Sequence, residues 1–269
     1  MTEAAPDAVL EVANLCKSFG AVRAVDELSF SVRRGSVTGL IGPNGSGKST
    51  SIDCISGMLR PESGTARLNG RDITGLPPHE VAKAGLTRTF QNVRVYDRLT
   101  VLENLVIAAQ EFDGVGAIAG IWGGAAVRRR DAEAVERARE LLGLTRLGRY
   151  ADAPAGILSY GQKKLVALSM SLMSKPALII LDEPLAGVNP TLIRHISEVI
   201  EALNAAGQTF LIIEHNVPFI MRHCAHVVVM ESGRKLVEGP PRLIRDDERV
   251  IEAYLGNTKN VEMEILWHG

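Results

Sequence analysis

A glycine-rich segment that ends in a lysine and two hydroxyls offers the clearest chemistry in the sequence. Residues 42–50 read Gly-Pro-Asn-Gly-Ser-Gly-Lys-Ser-Thr, after an apolar run at 36–41 and before a predicted helix. Glycines let backbone N–H groups turn inward toward an anion, and a helix N-terminus adds partial positive charge. The segment therefore predicts a triphosphate-binding loop, in which Lys48 meets the phosphates and Ser49 offers its hydroxyl to Mg²⁺. The predicted binding residues are Gly42, Pro43, Asn44, Gly45, Ser46, Gly47, Lys48, Ser49 and Thr50.

Two carboxylates at the end of a second apolar run could serve a metal ion and a water molecule. Residues 178–183 read Leu-Ile-Ile-Leu-Asp-Glu, so Asp182 ends a predicted buried strand and Glu183 follows it. A rigid carboxylate suits Mg²⁺, and hydrolysis needs a further group that polarises the attacking water. We therefore assign Asp182 to the metal and Glu183 to the water. Taken alone, both could be helix-capping acids before Pro184, but the phosphate loop favours the catalytic interpretation.

A histidine follows the next apolar run along the chain. Residues 210–215 read Phe-Leu-Ile-Ile-Glu-His. Because neighbouring parallel strands bring their carboxyl ends to one rim of a sheet, we expect His215 to approach the γ-phosphate. A lone histidine is more often structural, and we interpret His195 and His223 as surface helix residues because neither ends a strand.

Hydrophobic periodicity predicts the elements that must position these groups. Residues 9–13 and 28–32 alternate like half-buried antiparallel strands, whereas 177–182 is continuously apolar, as in a buried parallel strand. The order of strands and helices predicts an α/β sheet with crossover helices and an active site at the carboxyl ends of its strands. The other predicted strands are 36–41, 64–69, 209–213, and a hairpin of 226–230 and 234–238 around Ser232-Gly233. The predicted helices are 48–59, 101–110, 131–142, Pro190 to Gly207 and a short one ending near 255.

The middle of the chain, from about 82 to 150, is predicted to be a mainly helical insertion. Thr100 and Glu103 form a capping-box pattern in front of the helix at 101–110. Residues 113–126 are too rich in glycine for a firm helix and too short to span a membrane. That stretch is either a surface loop or a contact with a membrane partner, and the second interpretation would cover its apolar side chains: Ile118, Ile121 and Trp122.

Composition restricts the classes of partner. The 30 basic and 31 acidic residues give a net charge of −1, and aromatic residues make up 4% of the chain. Neither value suggests a nucleic-acid partner. The one basic triplet, residues 128–130, is interpreted as a solvated helix start, with a contact to lipid headgroups or a partner as the alternative.

Cysteine usage and hydropathy point to a reducing compartment and to no membrane span. Cys16, Cys54 and Cys224 are too scattered to suggest a disulfide framework or a zinc site. We expect no signal peptide, because the first ten residues carry acidic side chains and no apolar core. No window reaches the roughly 18 apolar residues that a spanning helix needs. We therefore expect a soluble protein that reaches a membrane only through a partner.

Residues 158–162 resemble the signature sequence of ABC-transporter ATPases. They read Leu-Ser-Tyr-Gly-Gln, against Leu-Ser-Gly-Gly-Gln in the family, and lie between the phosphate loop and the Asp182-Glu183 strand, as the family has them. Phe19 matches the aromatic that stacks on adenine, and Gln91 matches the glutamine at the boundary of the helical subdomain. Over nearly its whole length, the chain is identified as a member of this family.

The resemblance implies a fold and a reaction. The fold is α/β, a P-loop NTPase core of ABC-ATPase type with an antiparallel β-subdomain and an inserted helical subdomain at about 92–174. One ATPase domain covers 1–256, and 257–269 form a C-terminal tail. The reaction is hydrolysis of ATP to ADP and phosphate, with ATP and Mg²⁺ bound. The implied catalytic residues are Glu183, His215 and Gln91, the metal ligands are Ser49, Gln91 and Asp182, and further nucleotide contacts come from Phe19, Ser159, Gly161 and Gln162.

The resemblance also implies that one chain cannot complete a site. In this family the signature serine, here Ser159, contacts the γ-phosphate held by the opposite subunit, so two ATPase subunits enclose two ATP molecules. Residues 186–189 match the loop that crosses this interface. Two positions depart from the family pattern: Tyr160 replaces a glycine, and Asn189 stands where many members have Asp. The second subunit is a paralogue or another copy, and the partners are polytopic permease subunits and, indirectly, a solute-binding protein.

Several segments are similar to the ATPases of branched-chain amino-acid importers. They are the signature followed by Lys-Lys-Leu, Thr-Arg-Thr-Phe-Gln-Asn-Val-Arg, Ala-Gly-Val-Asn-Pro and Val-Ile-Glu-Ala-Tyr-Leu-Gly. The resemblance predicts an importer ATPase on the inner face of the cell membrane, in the cytoplasm. ATPases of urea/amide importers or of lipid or lipopolysaccharide transport remain alternatives. A soluble ABC ATPase acting on ribosomes or DNA is a further rival, but it would generally carry two cassettes or a coiled-coil insertion.

Overall fold

A computed structural model describes residues 7–89, 95–109 and 124–255, with the backbone alone for 124–128 and 255. Gln91, most of the segment 113–126 and the tail 257–269 lie outside the described residues, and so do the three apolar side chains of that segment. The chain divides into two compact units. Unit 1 consists of Met1–Arg88, Ala177–Ala186 and Ile200–Gly269, and unit 2 of Thr89–Pro176 and Gly187–Val199.

Ten strands and nine α-helices are described. The strands are β1 (Ala8–Phe19), β2 (Val22–Arg33), β3 (Val37–Ile41), β4 (Ser63–Leu68), β5 (Arg71–Asp72), β6 (Leu86–Thr89), β7 (Leu178–Asp182), β8 (Phe210–Ile213), β9 (His226–Glu231) and β10 (Arg234–Gly239). The helices are α1 (Lys48–Ile55), α2 (Pro78–Lys83), α3 (Val101–Ala108), α4 (Gly124–Leu144), α5 (Tyr160–Leu172), α6 (Pro190–Ala205), α7 (Val217–His223), α8 (Pro241–Arg245) and α9 (Glu248–Leu255). Two short 3₁₀ helices cover Gly148–Tyr150 and Ala155–Ile157.

Two sheets organise the strands. One is four-stranded with the order β2-β1-β4-β5 and antiparallel pairing, and the other is six-stranded with the order β10-β9-β3-β8-β7-β6. In the second sheet β9, β3, β8 and β7 run parallel, as their continuous apolar sequences require when both faces are buried. An apolar core fills unit 1, with fully buried Leu10, Leu28, Leu40, Ile52 and Ile180 among its members.

Most predicted strands are confirmed, but β1 is much longer than the alternation at 9–13 indicated. The reason lies at Asn14, whose φ of 49° places it in the left-handed region. The pairing register with β2 shifts between Val12 and Leu15. A strand continues beyond such an irregularity, but its side chains no longer alternate in phase, so the sequence pattern hides the second half.

Helix α1 ends at Ile55, four residues before the predicted end at 59. Ser56 caps it, and Gly57 follows with a φ of 78°. A Cβ at Gly57 would lie 2.3 Å from the carbonyl oxygen of Leu76, so only glycine fits this close approach. The chain therefore turns away here although the sequence up to Leu59 would sustain a helix.

Three helices of unit 2, namely α3, α4 and α5, pack on one another. The capping box of α3 is confirmed: the Glu103 amide donates to Thr100 Oγ1 over 3.1 Å, and the Thr100 amide donates to Glu103 Oε2 over 2.7 Å. Helix α4 begins at Gly124, so the expectation of no firm helix up to 126 is wrong for the end of that stretch. Arg129, inside this helix rather than at its start, pairs with Glu133 at 2.9 Å, an i, i+4 contact that supports a helix.

The cap of α6 is also confirmed, because Asn189 Oδ1 accepts the Leu192 amide over 2.9 Å. Pro190 then occupies the first helical position, where its missing N–H is not needed. Within the described residues, no helix combines the length and apolar character needed to cross a membrane.

Candidate nucleotide-binding site

The predicted catalytic groups of unit 1 follow three neighbouring parallel strands. In the register of the sheet, Leu40 of β3 lies beside Ile213 of β8, and Ile213 lies beside Asp182 of β7. The phosphate loop, His215 and Glu183 therefore leave the sheet at the same rim, as carboxyl ends of parallel strands do. The order β3-β8-β7 places the histidine strand between the other two.

Glycine is required at the last loop position before α1. Gly47 has a φ of 96°, and a Cβ there would lie 2.2 Å from the carbonyl oxygen of Ala24. The Ser51 amide then donates to the Gly47 carbonyl over 2.9 Å and starts the helix. The loop thus brings the N-terminus of α1, with its unpaired N–H groups, to the rim of the sheet.

Lys48 is 5% exposed and folds back on its own loop. Its Nζ donates to the carbonyl oxygens of Gly42 and Pro43 over 2.7 and 2.9 Å, and contacts Ser46 Oγ at 3.3 Å. Burial lowers the pKa of Lys48, and the negative charge of Glu183 opposes that effect. The ammonium is therefore preorganised at the loop and is electrostatically linked to the predicted catalytic carboxylate.

Asp182 is held by an arginine that sequence analysis did not single out. Arg88, whose side chain is 9% exposed, donates from Nη2 to Asp182 Oδ2 over 2.6 Å and from Nη1 to Asp53 Oδ1 over 2.5 Å. Nη1 also lies 3.2 Å from Ser56 Oγ. Burial lowers the pKa of Arg88, but its hydrogen bonds to both carboxylates outweigh this and raise the pKa overall. The Arg88 guanidinium therefore links β6 to Asp53 of α1 and to Asp182 of β7, because its planar fork can donate to two carboxylates at once.

Replacing Arg88 by lysine should lower stability by about 1.5–3 kcal/mol, the cost of one hydrogen bond to a charged group. A lysine ammonium keeps the charge but lacks the fork that reaches both Asp53 and Asp182. Urea unfolding of wild type and Arg88→Lys measures the difference. Arg34→Lys, at an exposed arginine of the same unit, is the control and should change stability little. Equal stability of all three proteins would contradict this account of Arg88.

Glu183 and His215 meet at the rim. Glu183 Oε1 lies 3.0 Å from His215 Nε2, and the two side chains are 22% and 46% exposed. The backbone of Glu183 has a φ of 50°, a left-handed conformation that costs roughly 1–3 kcal/mol in a non-glycine residue. The Glu183 amide donates to the Ile213 carbonyl over 2.9 Å, and the Ala186 amide donates to the Glu183 carbonyl over 3.2 Å. The surrounding bonds thus hold the carboxylate in an otherwise unfavourable turn.

Two further predicted contacts of unit 1, Phe19 and Ser49, are accessible to a ligand. Phe19, at the end of β1, is 51% exposed, and Lys17 Nζ lies 5.5 Å from the centre of its ring. An exposed ring can stack on a base. Ser49 is exposed at the first turn of α1, whereas Ser46 is buried beneath the loop. The described residues do not include Gln91, so its predicted roles stay predictions.

In unit 2, the signature residues begin α5. Ser159 Oγ accepts the Gln162 amide over 3.3 Å, and Gln162 Oε1 accepts the Ser159 amide over 2.9 Å, so the two form a capping box. The spacing Ser-x-x-Gln signals this box, and sequence analysis missed it. The serine and glutamine that the resemblance assigns to nucleotide are therefore also the residues that shape the helix start.

The glycine and tyrosine of the signature pack against the segment around α6. A Cβ at Gly161 would lie 1.8 Å from Leu192 Cδ2, so the position has no room for a side chain unless Leu192 moves. Tyr160 is 49% exposed, and its ring lies 3.5 Å from where a Cβ of Gly187 would be. The substitution of tyrosine for the family glycine thus places an aromatic ring beside Gly187.

The interpretation of His195 and His223 as surface residues is wrong. Their side chains are only 14% and 11% exposed. His195 Nε2 lies 2.9 Å from the carbonyl oxygen of Thr145, which can only accept, so Nε2 carries a proton. His223 Nδ1 lies 2.8 Å from Glu201 Oε1. Each histidine contacts a polar group of its own unit, which supports a structural role for both.

Comparison with known proteins places the sequence in a family. Residues 25–186 match the ABC transporter family, and residues 234–259 match the family described as branched-chain amino acid ATP-binding cassette transporter. The chain is 39% identical to the high-affinity branched-chain amino acid transport ATP-binding protein BraF of Pseudomonas aeruginosa, over 92% of this chain and 98% of BraF. It is 37% identical to a probable branched-chain amino acid transport ATP-binding protein, LivG, of Archaeoglobus fulgidus, over 92% and 95% of the two chains.

Solved structures agree with this placement. A nucleotide-free ATP-binding cassette from an ABC transporter has a TM-score of 0.78 and 37% identity, covering 92% of this chain and 98% of its own. The ADP conformation of an ATP-binding cassette of an ABC transporter has a TM-score of 0.79 and 36% identity, covering 93% and 99%. The predicted fold class is confirmed. Sequence, fold and the grouping of phosphate loop, carboxylates and histidine at one rim together show that the chain belongs to the ABC transporter family, as an ATP-binding cassette.

Proposed function

We propose that this chain is the ATP-hydrolysing subunit of an ABC importer for branched-chain amino acids. The observation that carries the proposal is the rim of unit 1, where Lys48, Asp182 and the Glu183–His215 pair leave three adjacent parallel strands. A phosphate loop alone would bind a nucleotide. The added carboxylate and histidine supply the groups that hydrolysis requires.

Magnesium fits the donors present. Asp182 is a carboxylate of a fixed strand end with a side chain 14% exposed, and Ser49 presents an exposed hydroxyl. No cluster of three or more His, Cys, Asp or Glu side chains suited to a metal occurs in the part of the chain that the structure describes. Mg²⁺ is typically held by one or two protein oxygens plus nucleotide phosphates, so this sparse set suits it. Bound there with Gln91, the ion would neutralise charge on the phosphates.

Different residues of the chain bind the nucleotide and hydrolyse it. Lys48 and the N–H groups of the loop bind the phosphates, and Phe19 stacks on the adenine. Glu183 accepts a proton from the attacking water, and His215 holds the carboxylate by the 3.0 Å contact and faces the γ-phosphate. Each group lies in unit 1, which binds nucleotide without help from a second chain.

Hydrolysis requires a second ATPase subunit, a paralogue or another copy, whose signature serine completes the site. We expect Ser159→Ala to reduce turnover of the assembled transporter about 10-fold or more, since a trans phosphate contact is lost. ATP affinity of the isolated chain should stay unchanged, because its own loop is intact. Calorimetry and phosphate release measure the two quantities.

A matched variant separates this role from helix capping. Ser159 caps α5 and Thr100 caps α3, both through a capping box in unit 2. Each alanine variant should lose about 1 kcal/mol of stability. Only Ser159→Ala should lose turnover, and an equal loss in Thr100→Ala would assign the effect to helix stability instead.

The substrate and the partners follow from the named relatives. BraF and LivG carry branched-chain amino acid transport in their names, which favours leucine, isoleucine and valine over urea, amides or lipids. The partners proposed are two polytopic permease subunits and, indirectly, a solute-binding protein, and no nucleic acid. The chain would attach to the inner face of the cell membrane from the cytoplasm. We propose one ATPase domain over 1–256 and a separate tail at 257–269.

Co-purification tests this assembly. A tagged Glu183→Gln chain, extracted from native membranes in Mg-ATP, should retain two polytopic membrane proteins and one further ATPase subunit. The reconstituted wild-type complex should then take up labelled leucine in competition with isoleucine and valine, but not with urea. Recovery with ribosomes or nucleic acid, or competition by urea alone, would overturn the importer proposal while leaving the ATPase site standing.

A further inference from the structure

Unit 1 contains a buried carboxylate that the catalytic scheme leaves unused. Glu214 lies between β8 and His215, and it is 4% exposed. Three backbone N–H groups donate to it: Leu185 to Oε1 over 2.7 Å, and His215 and Asn216 to Oε2 over 3.1 and 3.4 Å. Its two oxygens therefore face different segments of the chain.

The two segments are those that carry the catalytic pair. Leu185 lies two residues beyond Glu183, in the turn that follows β7, and the other oxygen binds the backbone of His215 itself. Because β7 and β8 are neighbours, this single side chain bridges the ends of both strands. The Glu183–His215 contact lies directly beyond this bridge.

Stability alone is a poor explanation for this carboxylate. Burial raises the pKa of Glu214 although three N–H groups donate to it, so these bonds do not fully offset the loss of water. The nearby charge of Glu183 acts in the same direction. A neutral amide of the same size has one oxygen, so it could accept from one of the two segments but not from both. What the carboxylate adds is two strong acceptors aimed in two directions from one fixed point.

We propose that Glu214 is a positioning residue for hydrolysis: it fixes the turn at Glu183 and the backbone of His215, and so holds the two side chains in hydrogen-bond contact. The inference rests on the proposed hydrolytic roles of Glu183 and His215. Glu214 touches neither nucleotide nor water in this role and acts only through its neighbours. Loss of Glu214 should therefore reduce turnover and leave nucleotide binding intact.

Glu214→Gln is the first test, measured in the assembled transporter. Glutamine has the same size, but its NH₂ group faces backbone donors in place of one acceptor oxygen. We expect kcat to fall about 10- to 100-fold, as for a small misplacement of reacting groups. ATP affinity of the isolated chain should stay within about 2-fold of wild type, since the phosphate loop is unchanged.

Two further variants make the test specific. Glu214→Asp keeps the charge but is one methylene shorter, so it cannot reach both segments, and it should show the same separation of kcat from ATP affinity. If Glu214→Gln does not fold, the kcat and ATP affinity of Glu214→Asp test the proposal instead. Glu201→Gln is the matched control, because Glu201 contacts His223 over 2.8 Å in the same unit and is not among the groups assigned to hydrolysis, so it should leave kcat unchanged.

A double variant distinguishes this inference from the proposed function. If Glu214 acts through Glu183, adding Glu214→Gln to Glu183→Gln should cause no further loss of turnover. Independent, multiplying losses would overturn the positioning role, and so would full kcat in a folded Glu214→Gln protein or a parallel loss of ATP affinity. Wild-type turnover in Glu183→Gln alone would instead reject the proposed role of Glu183.

Discussion

Glu183→Gln should bind ATP and almost stop hydrolysing it. Removal of a general base typically costs 10²–10⁴-fold in rate, so turnover should fall by about that factor. Glutamine keeps an oxygen that can accept from His215 Nε2, now at 3.0 Å from Glu183 Oε1, so the local geometry should persist. Only the negative charge and the proton acceptor are lost.

The same change should not weaken ATP binding. Glu183 places a negative charge near Lys48, and that charge would also repel a triphosphate. Removal of the Glu183 charge should leave ATP affinity equal to that of the wild type or somewhat higher. Single-turnover phosphate release and calorimetry on the same preparation test both expectations. Wild-type turnover in Glu183→Gln would end the role proposed for this residue, whereas loss of ATP binding would indicate that the turn at Glu183 had collapsed.

The predicted catalytic groups of unit 1 share one property: each belongs to a short contiguous pattern at the end of an apolar strand. The phosphate loop, Asp182-Glu183 and His215 could be placed at one rim because parallel strands with crossover helices leave no other arrangement. Two helix caps could also be predicted from sequence spacing: Asn189 at the start of α6, and the capping box of Thr100 and Glu103 at the start of α3.

Arg88 and Glu214, which sequence analysis missed, depend on contacts between distant parts of the chain. Arg88 binds Asp182 across 94 positions, and Glu214 binds the Leu185 amide across 29. No spacing rule links such pairs, because their meeting is a property of the finished sheet. Helices α2 and α8, of six and five residues, were missed for a different reason: they are shorter than the window of about 11 residues in which helical periodicity shows.

Lys48→Ala should abolish nucleotide binding at ordinary concentrations. Truncating one partner of a desolvated charge pair costs about 2–5 kcal/mol, which corresponds to a loss of roughly 30- to 4000-fold in affinity. The lysine also donates to the carbonyls of Gly42 and Pro43, so the loop loses internal bonds as well as its cation. Calorimetric titration with ADP and with a non-hydrolysable ATP analogue measures the loss, and unchanged affinity would contradict it.

A second variant in the same turn separates the effect of the lost charge from the effect of a destabilised α1. Ser51 is fully buried in α1, and its Oγ donates to the Lys48 carbonyl over 2.7 Å. Ser51→Ala removes that hydrogen bond but no charge, so it should lower stability by about 1 kcal/mol and leave affinity for nucleotide nearly unchanged. If both variants lost affinity equally, the integrity of α1 would explain binding. A loss confined to Lys48→Ala would show that binding depends on the ammonium, because only a cation compensates the charge that a triphosphate brings to the loop.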